Sequence, residues 1–345
     1  MLKKLVVLLL LSTTLFLSMS ALGQGKSREL YPIVQGGKEG YIDRNGRIIV
    51  EPQFDIAYYF SEGIGLIATA LKKDVDGQVV KIPQKWGLID STGKVIVQPQ
   101  FNSTGCVFSG GLICVGMDDG VGFIDKTGKL VINPRFSQAK DFSEGMAPVK
   151  IGEKWGYIGK DGRILISPQF DAANNFSEGL ALVQVNGRYT YINKAGQVVI
   201  HLSATGANDF HEGLARVVIG DSDAKGKSGY IDKSGKIVIR PQFNDACDFY
   251  EGLACADVDG KIGYIDRTGR IVIAPQFEVA ADFSEGLAIV VIDGYYGFIN
   301  KEGEFVIEPQ FTWSRQFSGG LAHVMVGEEM GYVNKSGKYV WVPTK

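Results

Sequence analysis

The cysteines are the residues whose spacing most plainly suggests chemistry. Cys106 lies two residues before Phe108 and Cys114 six after it; Cys247 lies two before Phe249 and Cys255 six after it. Both pairs therefore occupy the same two slots around a Phe. Elsewhere those slots hold unrelated residues, such as Asn174 with Leu182 or Arg315 with His323. Cysteines that arrive in pairs, in an exported chain, point to two disulfides, Cys106–Cys114 and Cys247–Cys255. Four buried thiols are the alternative. Two cysteines without a nearby His pair make an incomplete metal site, so neither a metal nor a cofactor is expected.

The acids invite a catalytic reading until their positions are compared. Asp43, Asp90, Asp125, Asp232 and Asp266 each open an Asp-x-x-Gly turn, and Glu62, Glu144, Glu178, Glu212, Glu251 and Glu285 each belong to a Phe-x-Glu-Gly run. A residue needed many times over is needed for the fold, whereas an active site requires a unique constellation. The three His, His201, His211 and His323, form no motif. The stretch from Asp221 to Gly226 is a poor match to a calcium loop, because Lys225 takes a ligand position and no distal Glu follows at the right spacing. Trp313, in a variable slot, is the best candidate for an exposed aromatic that could stack on a sugar. No catalytic, cofactor or metal residue is assigned.

What positions all of these is a repeat. Gly40, Gly87, Gly122, Gly156, Gly229, Gly263, Gly297 and Gly331 recur, with Thr190 in the one slot where Gly is lost, and the spacing settles on 34 residues. Each unit carries three short Val-, Ile- and Tyr-rich runs, which read as strands. A connector with Pro-Gln-Phe and Phe-Ser-Glu-Gly follows. Strands two and three flank an Asp-x-x-Gly turn, with Asn in place of Asp at Asn193, Asn300 and Asn334, and the turn glycines Gly46, Gly93, Gly128, Gly162, Gly235, Gly269, Gly303 and Gly337 should adopt positive φ. Three strands joined by tight turns make an antiparallel meander. Strand three is apolar at consecutive positions (Ile271, Val272, Ile273), which predicts burial on both faces between neighbouring units.

The runs Lys85-Trp-Gly-Leu-Ile-Asp90 and Lys154-Trp-Gly-Tyr-Ile158, with the Pro-Gln-Phe and Phe-Ser-Glu-Gly-Leu segments, resemble the bacterial WG-repeat family. The signature residues are Trp86, Gly87, Trp155 and Gly156; the other Trp slots hold Glu39, Val121, Tyr189, Ser228, Ile262, Tyr296 and Met330. The resemblance implies a β-rich protein, often secreted or surface-associated, and mostly without an assigned activity.

The expected fold is thus all-β: nine three-stranded antiparallel meanders, beginning near 30, 64, 112, 146, 180, 214, 253, 287 and 321. Three strands in 34 residues is short for a propeller blade, nine exceeds the usual count, and no unit is split between the termini. These features favour a propeller-like spiral, with a closed ring as the alternative. Residues 1–23 read as a secretory signal: Lys3 and Lys4, the apolar run Leu5 to Leu17, then Ala21-Leu-Gly23 as a cleavage site. Residues 24–345 form one repeat array without a further membrane span. Two insertions, roughly Thr69 to Pro83 and Gly220 to Gly226, fall in the same loop slot and should decorate one rim. A net charge of −2 argues against nucleic acid as partner, since that needs a basic face. The reading is a non-catalytic, extracytoplasmic (periplasmic or secreted) protein that binds or scaffolds a protein or glycan of the cell envelope. The alternative is a glycan-acting enzyme with its site on the insertion-bearing rim.

Overall fold

The computed structural model describes residues 29–342, except 76–77, 106 and 221–225. The signal reading of residues 1–23, Cys106, and most of the second insertion lie outside the described residues. Among the described residues every regular element is a strand, and no helix is long and apolar enough to cross a membrane.

The strands form nine separate antiparallel sheets, eight with four strands and the first with three. The extra strand comes from the connector. In blade 4, residues Gln138–Ala139 pair with Met146–Ile151, which pairs with Lys154–Gly159, which pairs with Ile164–Phe170. The three-stranded unit expected from sequence is therefore a four-stranded blade, because two residues of each connector add an edge strand to the meander that follows. Such a short strand carries too little periodicity to be seen in sequence.

The sheets close into a ring, which corrects the expectation of a spiral. Nine apolar cores fill nine junctions, whereas an open array of nine blades would have eight. The ninth core joins Tyr31, Ile33 and Ile42 of blade 1 to Leu321 and Tyr332 of blade 9. The arguments for a spiral fail for a physical reason: side-chain packing closes this ring, with no need for a blade shared between the chain ends.

The turn glycines, Gly196 of blade 5 included, have φ between +77° and +91°. Each also packs against the blade before it. A Cβ at Gly128 would strike Val97, and one at Gly196 would strike Ile166. The same contact is made across the closure, by Gly46 on Val340. The signature glycine has a different task. A Cβ at Gly87 or Gly156 would strike the carbonyl of Val97 or Ile166, where strand three bulges toward its Pro. Blade 5 has no such Pro, and there Thr190 fits, its hydroxyl donating to the Ile200 carbonyl at 2.7 Å.

Strand three is not buried on both faces. Ile164 is 50% exposed and Ile166 only 4%. As the outer edge of the blade, this strand leaves its first two residues in solvent in blades 3 to 7 and buries the third beneath the next blade's turn glycine; in blades 1 and 2 the first two residues are half-buried.

Candidate functional site

The short connector strand is the inner edge of blades 2 to 9. Tyr59 of blade 2 hydrogen-bonds His323 of blade 9 at 2.8 Å, passing over blade 1. Contact between blades two apart is possible only near the axis of the ring. The residues just before each buried connector Phe therefore meet their counterparts from blade to blade. Lys140 Nζ donates to Asn174 Oδ1 at 3.0 Å, Asn174 Nδ2 to Asp209 at 3.2 Å, and Asn208 Nδ2 to Asp248 at 3.0 Å. Gln316 reaches back to the Asp282 carbonyl at 3.0 Å. The result is a polar belt around the inner edge.

Its charges are perturbed. Burial raises the Asp209 carboxyl, against the opposing pull of the Asn174 hydrogen bond, His211 and Lys140. Burial likewise raises Asp248, against the hydrogen bond from Asn208 and the charges of His211 and Arg216. Burial, and then the neighbouring Asp248, push Asp282 up to about 7. Asp282 Oδ1, Asn175 Oδ1 and Arg216 Nε are buried without a hydrogen-bond partner among the described residues. A carboxyl that holds its proton near neutrality, as Asp282 does, can act as an acid or as a donor to an anionic or hydroxylated ligand.

At the closure the belt becomes aromatic. The Arg315 guanidinium lies 4.9 Å from the Tyr59 ring centre and 5.9 Å from that of Trp313. His323 stacks on Tyr332 at 4.7 Å. Burial, followed by the charge of Arg315, holds the His323 imidazole down at about 4. Trp313, the expected exposed aromatic, is half-buried with its ring edge-on to His323 at 5.5 Å. It belongs to this cluster rather than to a free sugar platform.

The connector Glu is structural. Glu178 of blade 5 accepts from the Gly213 N–H of blade 6 at 2.9 Å and pairs with Lys233 at 2.9 Å. Glu144 with Lys194, Glu251 with Lys301 and Glu285 with Lys335 repeat the latch. The turn acids cap their own turns, as Asp125 Oδ1 does for the Thr127 and Lys129 N–H groups. The periodic Phe residues are core: Phe176 packs on Tyr157 at 4.9 Å. Trp155 lies under Lys140 Nζ at 5.8 Å, and Trp86 against Tyr58 at 5.1 Å.

Cys247 and Cys255 are joined by a disulfide, with Cα atoms 5.1 Å apart. It ties the inner edge of blade 7 to its first long strand. The partner expected for Cys114 lies outside the described residues. Sequence reasoning did not find the belt acids Asp209, Asp248 and Asp282. The available signal was that the slot before the connector Phe holds Asp or another polar residue in most units, where an apolar core alone would not require one.

The first insertion is a long hairpin on blade 2, Ile64–Val75 paired with Gln78–Asp90. Leu71 and Val79 on it are 61% and 66% exposed. Lys81 anchors its base through Glu39 at 3.0 Å and the Asp55 carbonyl at 2.6 Å.

Comparison with known proteins bears on the whole ring. The WG containing repeat matches residues 40–69, 86–120, 122–155, 155–189, 189–221, 229–261, 262–296 and 296–329. The chain matches none of the curated proteins in sequence. Among solved structures, a crystal structure of a eukaryotic initiation factor is similar, with a TM-score of 0.63 at 12% identity over 92% of this chain and 96% of that one. Dihydro-heme d1 dehydrogenase NirN, in complex with DHE, has a TM-score of 0.49 at 12% identity, covering 75% of this chain and 70% of its own. At these identities the first likeness shows the fold alone, and the second carries no argument.

Proposed function

We propose that this chain, which belongs to the family of WG containing repeats, is a non-catalytic extracytoplasmic scaffold that docks a protein or glycan of the cell envelope. The observation that carries this reading is the blade 2 hairpin. It is the one long excursion among the described strand-one to strand-two loops, and it holds Leu71 and Val79 out in solvent. Apolar side chains presented on an anchored projection favour a partner surface. The Lys3 to Leu17 pattern and the Cys247–Cys255 bond support export. The test is a pull-down from envelope extract with the intact mature chain and with residues 71–82 replaced by a short turn. The reading expects specific partners to be lost with the hairpin while the fold is kept. Identical partner sets from both proteins would contradict it.

A second reading, a glycan-acting enzyme, is favoured by one observation: Asp209, Asp248 and Asp282 have no turn role, and burial on the inner edge raises their pKa values. Its site would then be the belt rather than the insertion rim. Glycan turnover abolished by Asp248→Asn or Asp282→Asn, in a folded protein, would move the assignment to this reading.

A further inference from the structure

The Cys247–Cys255 disulfide has an unusual neighbour. Asp282, on the inner edge of blade 8, brings a carboxylate oxygen to both sulfurs, and the three potential ligand atoms lie within 4.8 Å of one another. The adjacent junctions show what this place ordinarily contains. Asn174 donates to Asp209 and Asn208 donates to Asp248. Cys247 occupies the slot of those two Asn residues in the repeat, and a disulfide sulfur has no proton to give. The exchange leaves Asp282 Oδ1 buried and without a partner among the described residues. A buried acceptor in that state is costly unless something positive or protonated meets it. The arrangement also recurs, since Cys114 Sγ lies 4.0 Å from Asp141 Oδ1, and Asp141 follows Cys114 by the interval at which Asp282 follows Cys255.

We propose that reduction of the Cys247–Cys255 bond opens a binding site for a thiophilic divalent cation such as zinc, held by the two thiolates and the Asp282 carboxylate, with water in the fourth position. Two sulfurs and one oxygen suit a borderline-soft ion that takes four ligands. With metal–sulfur bonds of about 2.3 Å, tetrahedral neighbours stand roughly 3.8 Å apart. A dithiol supplies the two electrons. Its own thiols close into a disulfide, their two protons pass to Cys247 and Cys255, and both protons leave to solvent when the cation binds. Reoxidation closes the site and releases the ion. The site is thus gated by redox state, and it is independent of the hairpin.

The experiment uses the full mature chain carrying Cys106→Ser and Cys114→Ser, so that one cysteine pair remains. The protein is reduced with a dithiol, desalted without oxygen and titrated with cobalt(II) as a spectroscopic probe for zinc. The proposal expects one cobalt per chain with thiolate-to-cobalt charge-transfer absorption, and none in the oxidised protein. Asp282→Asn, which keeps both thiols, should weaken binding about tenfold or more, and circular dichroism should show the ring intact. Any of three outcomes would overturn the proposal: a disulfide that yields to the dithiol only on unfolding, equal binding by the oxidised and reduced forms, or undiminished affinity in Asp282→Asn.

Discussion

The junction that closes the ring, between blades 9 and 1, and an internal junction such as that between blades 4 and 5 make the same contacts with different residues. In the internal junction Tyr157 donates to the Asn174 carbonyl of the next blade at 2.7 Å. At the closure Tyr332 donates to the Pro32 carbonyl at 2.8 Å. Internally, Lys194 reaches the Glu144 carbonyl at 3.2 Å; at the closure Arg44 reaches the Gly319 carbonyl at 2.6 Å. What the closure lacks is the connector Glu, because Gly319 stands where Glu144 stands; the Glu29 carboxylate of blade 1 lies against Gly319 instead, within the field of Arg44 and hydrogen-bonded with Tyr31. The closure also has no described inner strand on blade 1, and the Tyr59, Trp313, Arg315 and His323 cluster covers that place. The lesson is that ring closure here is a side-chain property. Aromatic packing substitutes for a strand, and Glu29 with Arg44 substitutes for the connector Glu and its Lys.

The sharpest way to break the comparison is to truncate the paired tyrosines. Tyr157→Ala and Tyr332→Ala each remove a buried ring, and each should cost about 3 kcal/mol or more by urea denaturation. A nearly neutral Tyr332→Ala beside a damaging Tyr157→Ala would mean that blade 9 ends in solvent.

The inner belt offers the next largest effect. Asp282 is raised from 3.8 to about 7 by burial and by Asp248. A carboxyl raised in the folded state contributes stability that is present below its unfolded value and is lost as pH rises through its folded value. The oxidised protein should therefore weaken between about pH 4 and 7 from this group. Asp282→Asn should remove that slope and add on the order of 2 kcal/mol at pH 8. Parallel pH–stability curves for the two proteins would remove Asp282 as the cause. Asp209 and Asp248 are raised in the same direction, so some slope should remain.

Two glycine sets separate packing from backbone strain. Gly187 has φ +75° and open space around it, while Gly128 has φ +83° and Val97 against it. Gly187→Ala should cost about 1 kcal/mol from conformation alone. Gly128→Ala should cost more, and Val97→Ala should partly relieve it. Equal shifts in Tm for the two glycine variants would show that the inter-blade contact adds nothing.

The smallest effect belongs to the latch. Burial works against the Glu178 charge, but Lys233 and the Gly213 N–H outweigh it and hold the carboxyl below its usual range. Its contribution is therefore present above about pH 4.5 and fades as pH falls through the folded value. Glu178→Gln should cost about 0.5–1 kcal/mol at neutral pH, less in high salt. A salt-independent loss would argue against the ion pair with Lys233.

Much of this molecule was legible because its rules are local. The turn glycines, the capping Asp residues and the nine units follow from a period that any one copy reveals. The fourth strand was not legible, since two residues such as Ala172–Ala173 have no pattern of their own and pair only because the next strand offers a free edge. The exposure of Ile164 and Leu165 was misjudged because an apolar run at a sheet edge looks in sequence like one at a sheet centre. The belt was hidden for another reason. Asp209 and Asp248 meet only when successive connectors turn toward one axis, and that depends on closure, which in turn rests on Tyr31, Leu321 and Tyr332 from opposite ends of the chain.

Closure is the central claim, and a distance across it is the most direct test. Asn45 and Lys338 line one shallow surface depression where blades 1 and 9 meet, as Arg135 and Arg163 do where blades 3 and 4 meet. Spin labels at each pair, read by double electron–electron resonance, should give two short distance distributions of similar width. A long or broad distribution for Asn45 and Lys338, beside a short one for Arg135 and Arg163, would show an open array and contradict the ring.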